Sequence, residues 1–249
     1  MDVIRVQNEQ EMSEKAASLL FQQIQQKPHT VLGLATGGTP KGTYRVFVQK
    51  AEKENIDLSH VTTFNLDEYV GLLPSDTHSY HYYMDEHFFQ PLRLDKEQTY
   101  LPRGDAPDIE QETKRYEQLI TQHGGMDVQL LGIGENGHIG FNEPGTSFSS
   151  RTHVVDLNES TRQANARYFE SLQAVPKQAV TMGIATIMGS RQIVLLASGE
   201  RKQEAMKRLL EGDIDESFPA SILKKHPYVT IIADKKALSL VSYKDMVRG

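Results

Sequence analysis

Three polar stretches carry the residue types that do chemistry: Thr36-Gly37-Gly38-Thr39-Pro40, Asn65-Leu66-Asp67-Glu68-Tyr69, and the run from Gly132 through Asn136, His138 and Glu143 to Gly145. In the first, the glycines let backbone approach a ligand and the threonines add hydroxyl donors. Pro40 suits the first turn of a helix, whose N-terminus favours an anion. The stretch reads as a phosphate site, although it does not fit the G-x-x-x-x-G-K-[ST] loop of nucleotide-binding proteins. In the second, neighbouring acids point to different sides. One can enter a cleft and remove a carbon-bound proton while the other supports it. The ordinary alternative is a solvated turn or a helix cap.

The third stretch matches G-x-G-x-x-G at Gly132, Gly134 and Gly137. A dinucleotide fingerprint needs its last glycine to enter a helix. Here HIGFNEPG follows, and Gly140, Pro144 and Gly145 oppose a helix. No dinucleotide is therefore expected. The glycines instead make a loop that presents His138, a group that exchanges protons near neutrality. Glu143, or the side chain at position 136, can orient its ring. His78, His81 and His87 lack the carboxylate pattern of a metal site, so none is expected. The G-x-S-x-G elbow is absent, so no serine nucleophile is evident. A phosphate cradle, a carboxylate and a His/Glu loop together point to proton transfer on a phosphorylated metabolite.

These stretches need elements to hold them. Residues 9–26 read as a helix, with Ala16, Leu19, Leu20 and Ile24 on one face. Val31–Ala35 reads as a buried strand and a helix follows from Lys41. Val61–Leu66, Val128–Ile133, Ile193–Ala197 and Val229–Ala233 are further strands, the last two each followed by a helix. Residues 78–90 and 108–122 have helical spacing. Apolar strands alternating with amphipathic helices predict a three-layer, Rossmann-like α/β fold. Its central sheet is mainly parallel, with helices on both faces, in one domain over residues 1–249. Each polar stretch then lies at a strand's carboxyl end, where such folds collect ligands.

The bulk properties narrow the class. A net charge of −6 offers no positive field for nucleic acid, and there are no cysteines for disulfides, thiol chemistry or thiolate metal sites. No apolar run suggests a signal segment or a membrane span, so a cytoplasmic location is expected.

The strings LGLATGGTP, TFNLDEYVGL, SYHYYM, GIGENGHIGFNEPG, SRTHVVDL, TRQANARYF and VPKQAVTMGI stand in an order that resembles the glucosamine-6-phosphate deaminases, from about residue 30 to about residue 235. The resemblance implies conversion of glucosamine 6-phosphate and water to fructose 6-phosphate and ammonia, without a cofactor, in amino-sugar breakdown. By the same resemblance Asp67 matches the base that moves a proton between C2 and C1. His138 matches the histidine that assists ring opening, and Glu143 the glutamate that supports it. Thr36, Gly37, Gly38 and Thr39 match the phosphate loop, with Arg167 and Lys202 as phosphate-binding cations and Arg162 a nearby competitor. Lys202 is expected in the first turn of a helix. Asn136 departs from members that carry aspartate there, which predicts a less basic His138.

Some relatives are hexamers activated by N-acetylglucosamine 6-phosphate through basic positions that correspond here to His153 and Val155. Val155 cannot bind phosphate, so that activation is not expected; a monomer and a homo-oligomer both fit the sequence. Residues 150–175 are expected to form a lid. The related 6-phosphogluconolactonases, which share the G-x-G-x-x-G-H element, and a non-catalytic sugar-phosphate sensor are the alternatives.

Overall fold

The computed structural model describes residues 1–242. In chain order the elements are β1 (Asp2–Val6), α1 (Glu9–Gln26), β2 (Val31–Leu34), α2 (Gly38–Glu54), β3 (Thr62–Asn65), β4 (Asp67–Tyr69), α3 (Tyr80–Met84), α4 (Gln90–Leu92), β5 (Thr99–Tyr100), α5 (Ile109–Gln122), β6 (Val128–Gly132), β7 (His153–Asp156), α6 (Glu159–Asn165), β8 (Gln178–Thr181), α7 (Ile184–Met188), β9 (Gln192–Ala197), α8 (Gln203–Glu211) and β10 (Val229–Asp234).

Seven strands form one sheet in the order β1-β10-β9-β6-β2-β3-β5, and every pairing in it is parallel. From β2 the chain winds outward through β3 to β5, then crosses to the other side of β2 for β6, β9 and β10. The β2/β6 junction is thus the point where winding reverses, the place where an open α/β sheet leaves a crevice.

Strand side chains alternate between two apolar layers. Val194, Leu196 and Ile232 pack with Met12, Leu20, Phe21, Tyr44, Phe47 and Phe88 beneath α1 and α2. Ile193, Leu195 and Ile231 pack with Tyr116, Ile120, Ile187, Met206 and Leu209 beneath α5, α7 and α8. Burial on both faces is why these strands read as unbroken apolar runs. The expected three layers are therefore present.

Local departures have physical causes. The helical spacing over 78–90 is interrupted by a π-helical turn, Asp85–Phe89, between α3 and α4. Among the described residues no helix follows β10: residues 235–240 are turns, with Leu238 N–H donating to Asp234 O. A second, three-stranded antiparallel sheet, β4-β8-β7, was not legible in the sequence. It begins one residue beyond β3. Leu66 N–H donates to Leu34 O in the large sheet, while Leu66 O accepts from Met182 N–H beside β8. Leu66 thus hands the chain from one sheet to the other, and Asp67 opens β4 opposite Thr181. The expected lid over 150–175 starts as β7, paired residue by residue with β8, and only then becomes α6 and two short 3-10 turns.

Candidate active site

The three polar stretches emerge from β2, β3 and β6, adjacent strands of the large sheet. The first and third open onto the crevice that the topology leaves, and the second lies buried behind its wall. A cavity of about 1120 Å³ is lined there by Gly38, Thr39, Asn136, His138, Thr161, Arg167, Tyr168 and Lys202, among others.

The Gly-rich turn enters α2 with Gly37 at φ +91°, a backbone conformation costly for any side chain bearing a Cβ. No side chain caps this helix, so its first amides are free for an anion. The Gly37 carbonyl accepts from the Tyr83 hydroxyl at 2.7 Å, which fixes the turn from behind. Thr36 and Gly37 are set back from the cavity wall, and Thr36 meets the Tyr80 hydroxyl instead. Gly38 and Thr39 are the members of this loop that face the cavity.

The adjacent acids divide their work. Glu68 is buried and accepts from the N–H groups of Tyr69, Tyr80 and His81 at 2.8, 3.0 and 2.9 Å, and contacts His81 Nδ1 at 2.8 Å. It anchors the start of α3 to β4. The helix-anchoring role considered for Asp67 therefore falls to its neighbour. Asp67 is also buried, and among the described residues no hydrogen bond favours its charged form. Burial, then the charge of Glu68, pushes its carboxyl up to about 8. It lies behind the cavity wall rather than on it. Its Oδ2 stands 3.6 Å from the point where a Cβ on Gly140 would be. Gly140 is two residues past His138, a span of at most about 7 Å of chain. The acid and the imidazole thus flank one short piece of loop.

That loop follows β6 and contains no helix, so the glycine match is not a dinucleotide fingerprint. Gly134 serves close approach: a Cβ there would stand 2.4 Å from the His138 ring. His138 Nδ1 is buried and makes no hydrogen bond, although Glu143 Oε2 lies 3.8 Å away. Burial lowers the pKa of His138; Glu143 opposes this and Lys202 adds to it. The ring is therefore neutral near pH 7. Glu143 accepts from Asn136 Nδ2 at 2.8 Å and from the Thr161 hydroxyl. Asn136 Oδ1 also accepts the His138 N–H at 3.2 Å, so one amide bridges the carboxylate and the histidine's own backbone.

The cations line the same cavity as His138. Lys202 lies in a 3-10 turn, Glu200–Lys202, just before α8 rather than within its first turn. Burial lowers its pKa; Glu135 opposes this, while Arg201 and Arg167 add to it. The amide of Gly199 is taken by Asp234 at 3.1 Å, so that turn offers fewer free donors than a helix start would. Arg167 lines the cavity, whereas Arg162 turns away and donates to the carbonyls of Leu172 and Val175. Of the two arginines, Arg167 is the one that faces the cavity. At the rim, Arg201 pairs with Glu135 at 2.6 Å.

Elsewhere His78 pairs with Asp76, and His87 sits edge-on to Tyr83. Among the described residues no three His, Asp or Glu side chains gather as metal ligands would. Likewise no described helix is long and apolar enough to cross a membrane.

Sequence reasoning missed Thr161 and Tyr168. Both lie in the string TRQANARYF, but a hydroxyl on a polar helix carries no local signal of its partner.

The sequence model of the family described as glucosamine-6-phosphate isomerases/6-phosphogluconolactonase matches residues 6–232. The chain is 57% identical over 244 residues to the glucosamine-6-phosphate deaminase of Shouchella clausii, covering 98% of this chain and 99% of that protein. The solved structure of a monomeric glucosamine-6-phosphate deaminase aligns with a TM-score of 0.95 at 55% identity, covering 96% of this chain and 100% of that one. A 6-phosphogluconolactonase from Trypanosoma cruzi aligns at 0.76 with 20% identity over 96% of each chain, a likeness of fold alone.

Proposed function

The chain belongs to the family of glucosamine-6-phosphate isomerases and 6-phosphogluconolactonases, and from that premise we propose that it converts glucosamine 6-phosphate and water to fructose 6-phosphate and ammonia. The observation that carries this reading is that the loop presenting His138 to the cavity also passes Asp67, whose Oδ2 lies 3.6 Å from where a Cβ on Gly140 would stand, while Arg167 and Lys202 line the same cavity as His138.

The phosphate sits against Gly38, Thr39, Arg167 and Lys202, with the free amides of α2 completing the cradle. Its charge offsets the mutual repulsion of the two cations. His138, neutral through burial, moves a proton between the anomeric hydroxyl and the ring oxygen and so opens the sugar. Glu143 steadies the imidazolium that forms, held in turn by Asn136 and Thr161.

Asp67 then takes the proton from C2 and returns it to C1. A carboxyl held near 8 is a stronger base than an ordinary carboxylate, and an ammonium group arriving beside it favours its ionised form. The enolamine formed at C2 becomes an imine once C1 is protonated, and water hydrolyses the imine to the ketose and ammonia. No step calls for a metal or a redox cofactor.

Regulation follows the same reasoning. Val155 packs against the apolar group of Tyr69, Phe141 and Ala179, and His153 Nδ1 contacts the Arg151 carbonyl at 2.8 Å. Val155 offers no cation, so the enzyme works without activation by N-acetylglucosamine 6-phosphate. Both sheets act as one domain, because the small one supplies Asp67 and the large one the loop it faces. A phosphorylated hexose does not cross membranes unaided, which puts the reaction in the cytoplasm. Incubation with glucosamine 6-phosphate tests the whole reading: ammonia and fructose 6-phosphate appear in equal amounts, and release of neither overturns it.

A further inference from the structure

The wall of the cavity formed by residues 166–168 carries a group that the scheme above leaves unused. Tyr168 closes a 3-10 turn, Ala166–Tyr168, and lines the cavity beside Gly38, Thr39, Arg167 and Lys202. Its hydroxyl lies 3.3 Å from where a Cβ on Gly38 would stand. The Arg167 guanidinium lies over the Tyr168 ring, 4.8 Å from its centroid. The other phenols around this loop are spent on protein acceptors. Tyr44 donates to Ala35 O at 2.5 Å and Tyr83 to Gly37 O at 2.7 Å. The Tyr80 hydroxyl donates to that of Tyr69 at 3.3 Å. Among the described residues the Tyr168 hydroxyl has no hydrogen-bond partner, and 47% of the residue is exposed.

We propose that Tyr168 is a further phosphate-binding residue, whose hydroxyl donates to the substrate phosphate while its ring holds Arg167 over the same anion. Three positions argue for it together. The hydroxyl stands at the Gly38 turn, where α2 presents uncapped amides. It shares a cavity wall with both phosphate cations. Its ring face is covered by one of them, an arrangement that orients a guanidinium without consuming its donors. An anion at this point would receive donors from the Gly38 turn, from Lys202 and from Tyr168. The role deepens the proposed deaminase reading and rests on it for the identity of the phosphate's carrier, but not for the anion itself.

The test uses the whole chain and two ligands. Inorganic phosphate is titrated calorimetrically into wild type, Tyr168→Phe and Tyr168→Leu, and KM and kcat for glucosamine 6-phosphate are measured in parallel. Phe keeps the ring under Arg167 and removes the hydroxyl alone. Loss of one hydrogen bond to a charged acceptor weakens phosphate binding about tenfold and raises KM by a similar factor. The kcat of Tyr168→Phe stays within about twofold of wild type. Tyr168→Leu, which also frees Arg167, weakens both further. An unchanged phosphate Kd in the Phe variant overturns the proposal, and so does a raised KM with unchanged phosphate affinity, which would move the hydroxyl to another part of the sugar. A wild-type protein that binds phosphate through Tyr168 yet releases no ammonia would sink the deaminase reading and leave this one standing.

Discussion

The Asn136 amide donates to Glu143 Oε2 at 2.8 Å, and His138 Nδ1 stands 3.8 Å from that same oxygen. One carboxylate oxygen therefore faces both the amide and the imidazole, and the amide already holds it. Replacing Asn136 by Asp puts a second acid where the donor was. The added negative charge favours the imidazolium, so the pKa of His138 rises. An NMR titration of the ring in wild type and Asn136→Asp reads this directly, and an unchanged or lower value contradicts it.

Asp67 makes two separable predictions. Asn cannot take a proton from carbon, so Asp67→Asn lowers kcat by at least ~10²-fold. Stability moves the other way. The folded carboxyl keeps its proton up to about pH 8, whereas the unfolded one loses it in the ordinary carboxylate range. The wild type is thus favoured by its protonated acid at low pH. It loses that advantage as pH rises toward 8, by up to ~1.4 kcal/mol per unit. Urea melts at pH 5 and pH 8 should show Asp67→Asn gaining on wild type as pH increases; a constant difference would refute the buried-acid account.

Thr161 and Asn136 share the task of holding Glu143. Thr161→Val leaves one of two buried acceptor sites unmet, and a loss of ~1–2 kcal/mol from the histidine's support lowers kcat about tenfold. KM changes little, because Thr161 grips the carboxylate rather than the phosphate. Thr161→Ser restores most of the rate, an outcome that simple loss of packing would not give.

The cations act on binding. Lys202→Met and Arg167→Met each raise KM about tenfold or more with a smaller effect on kcat, and inorganic phosphate inhibits the variants less than wild type. Equal falls in kcat and kcat/KM would instead place these residues in the chemical step. For Arg162→Met the expectation differs. Its guanidinium holds the carbonyls of Leu172 and Val175, so the melting temperature falls before phosphate inhibition changes.

N-acetylglucosamine 6-phosphate leaves the rate curve hyperbolic at every concentration of the compound, since Val155 carries no charge to hold it. Sigmoidal kinetics made hyperbolic by this compound would overturn that reading.

The large sheet was legible because burial on both faces prints a simple signature: Val31–Leu34, Gln192–Ala197 and Val229–Asp234 are apolar almost throughout. The positions of the Gly-rich turn and the histidine loop followed from those strand ends. The small sheet was not legible. Asp67-Glu68-Tyr69 reads as an acidic turn, and it is a strand only because residues 179–181 arrive antiparallel to it. The same remoteness hid the division between Asp67 and Glu68, which depends on where α3 begins, and the choice between Arg162 and Arg167. Thr161 was invisible for the same reason: its acceptor, Glu143, sits on a different loop.

The pairing of Asp67 with Thr181 also bears on how the protein is made. A chain leaving the ribosome carries residue 67 long before residue 181, and until β8 emerges that carboxyl is bathed in water and as acidic as any other. Its unusual basicity arrives late, with the closing of a three-residue strand. A nascent or prematurely terminated product lacking residues 178–181 would hold the whole Gly-rich turn and the histidine loop, yet its Asp67 would be an ordinary carboxylate and a weaker base toward carbon.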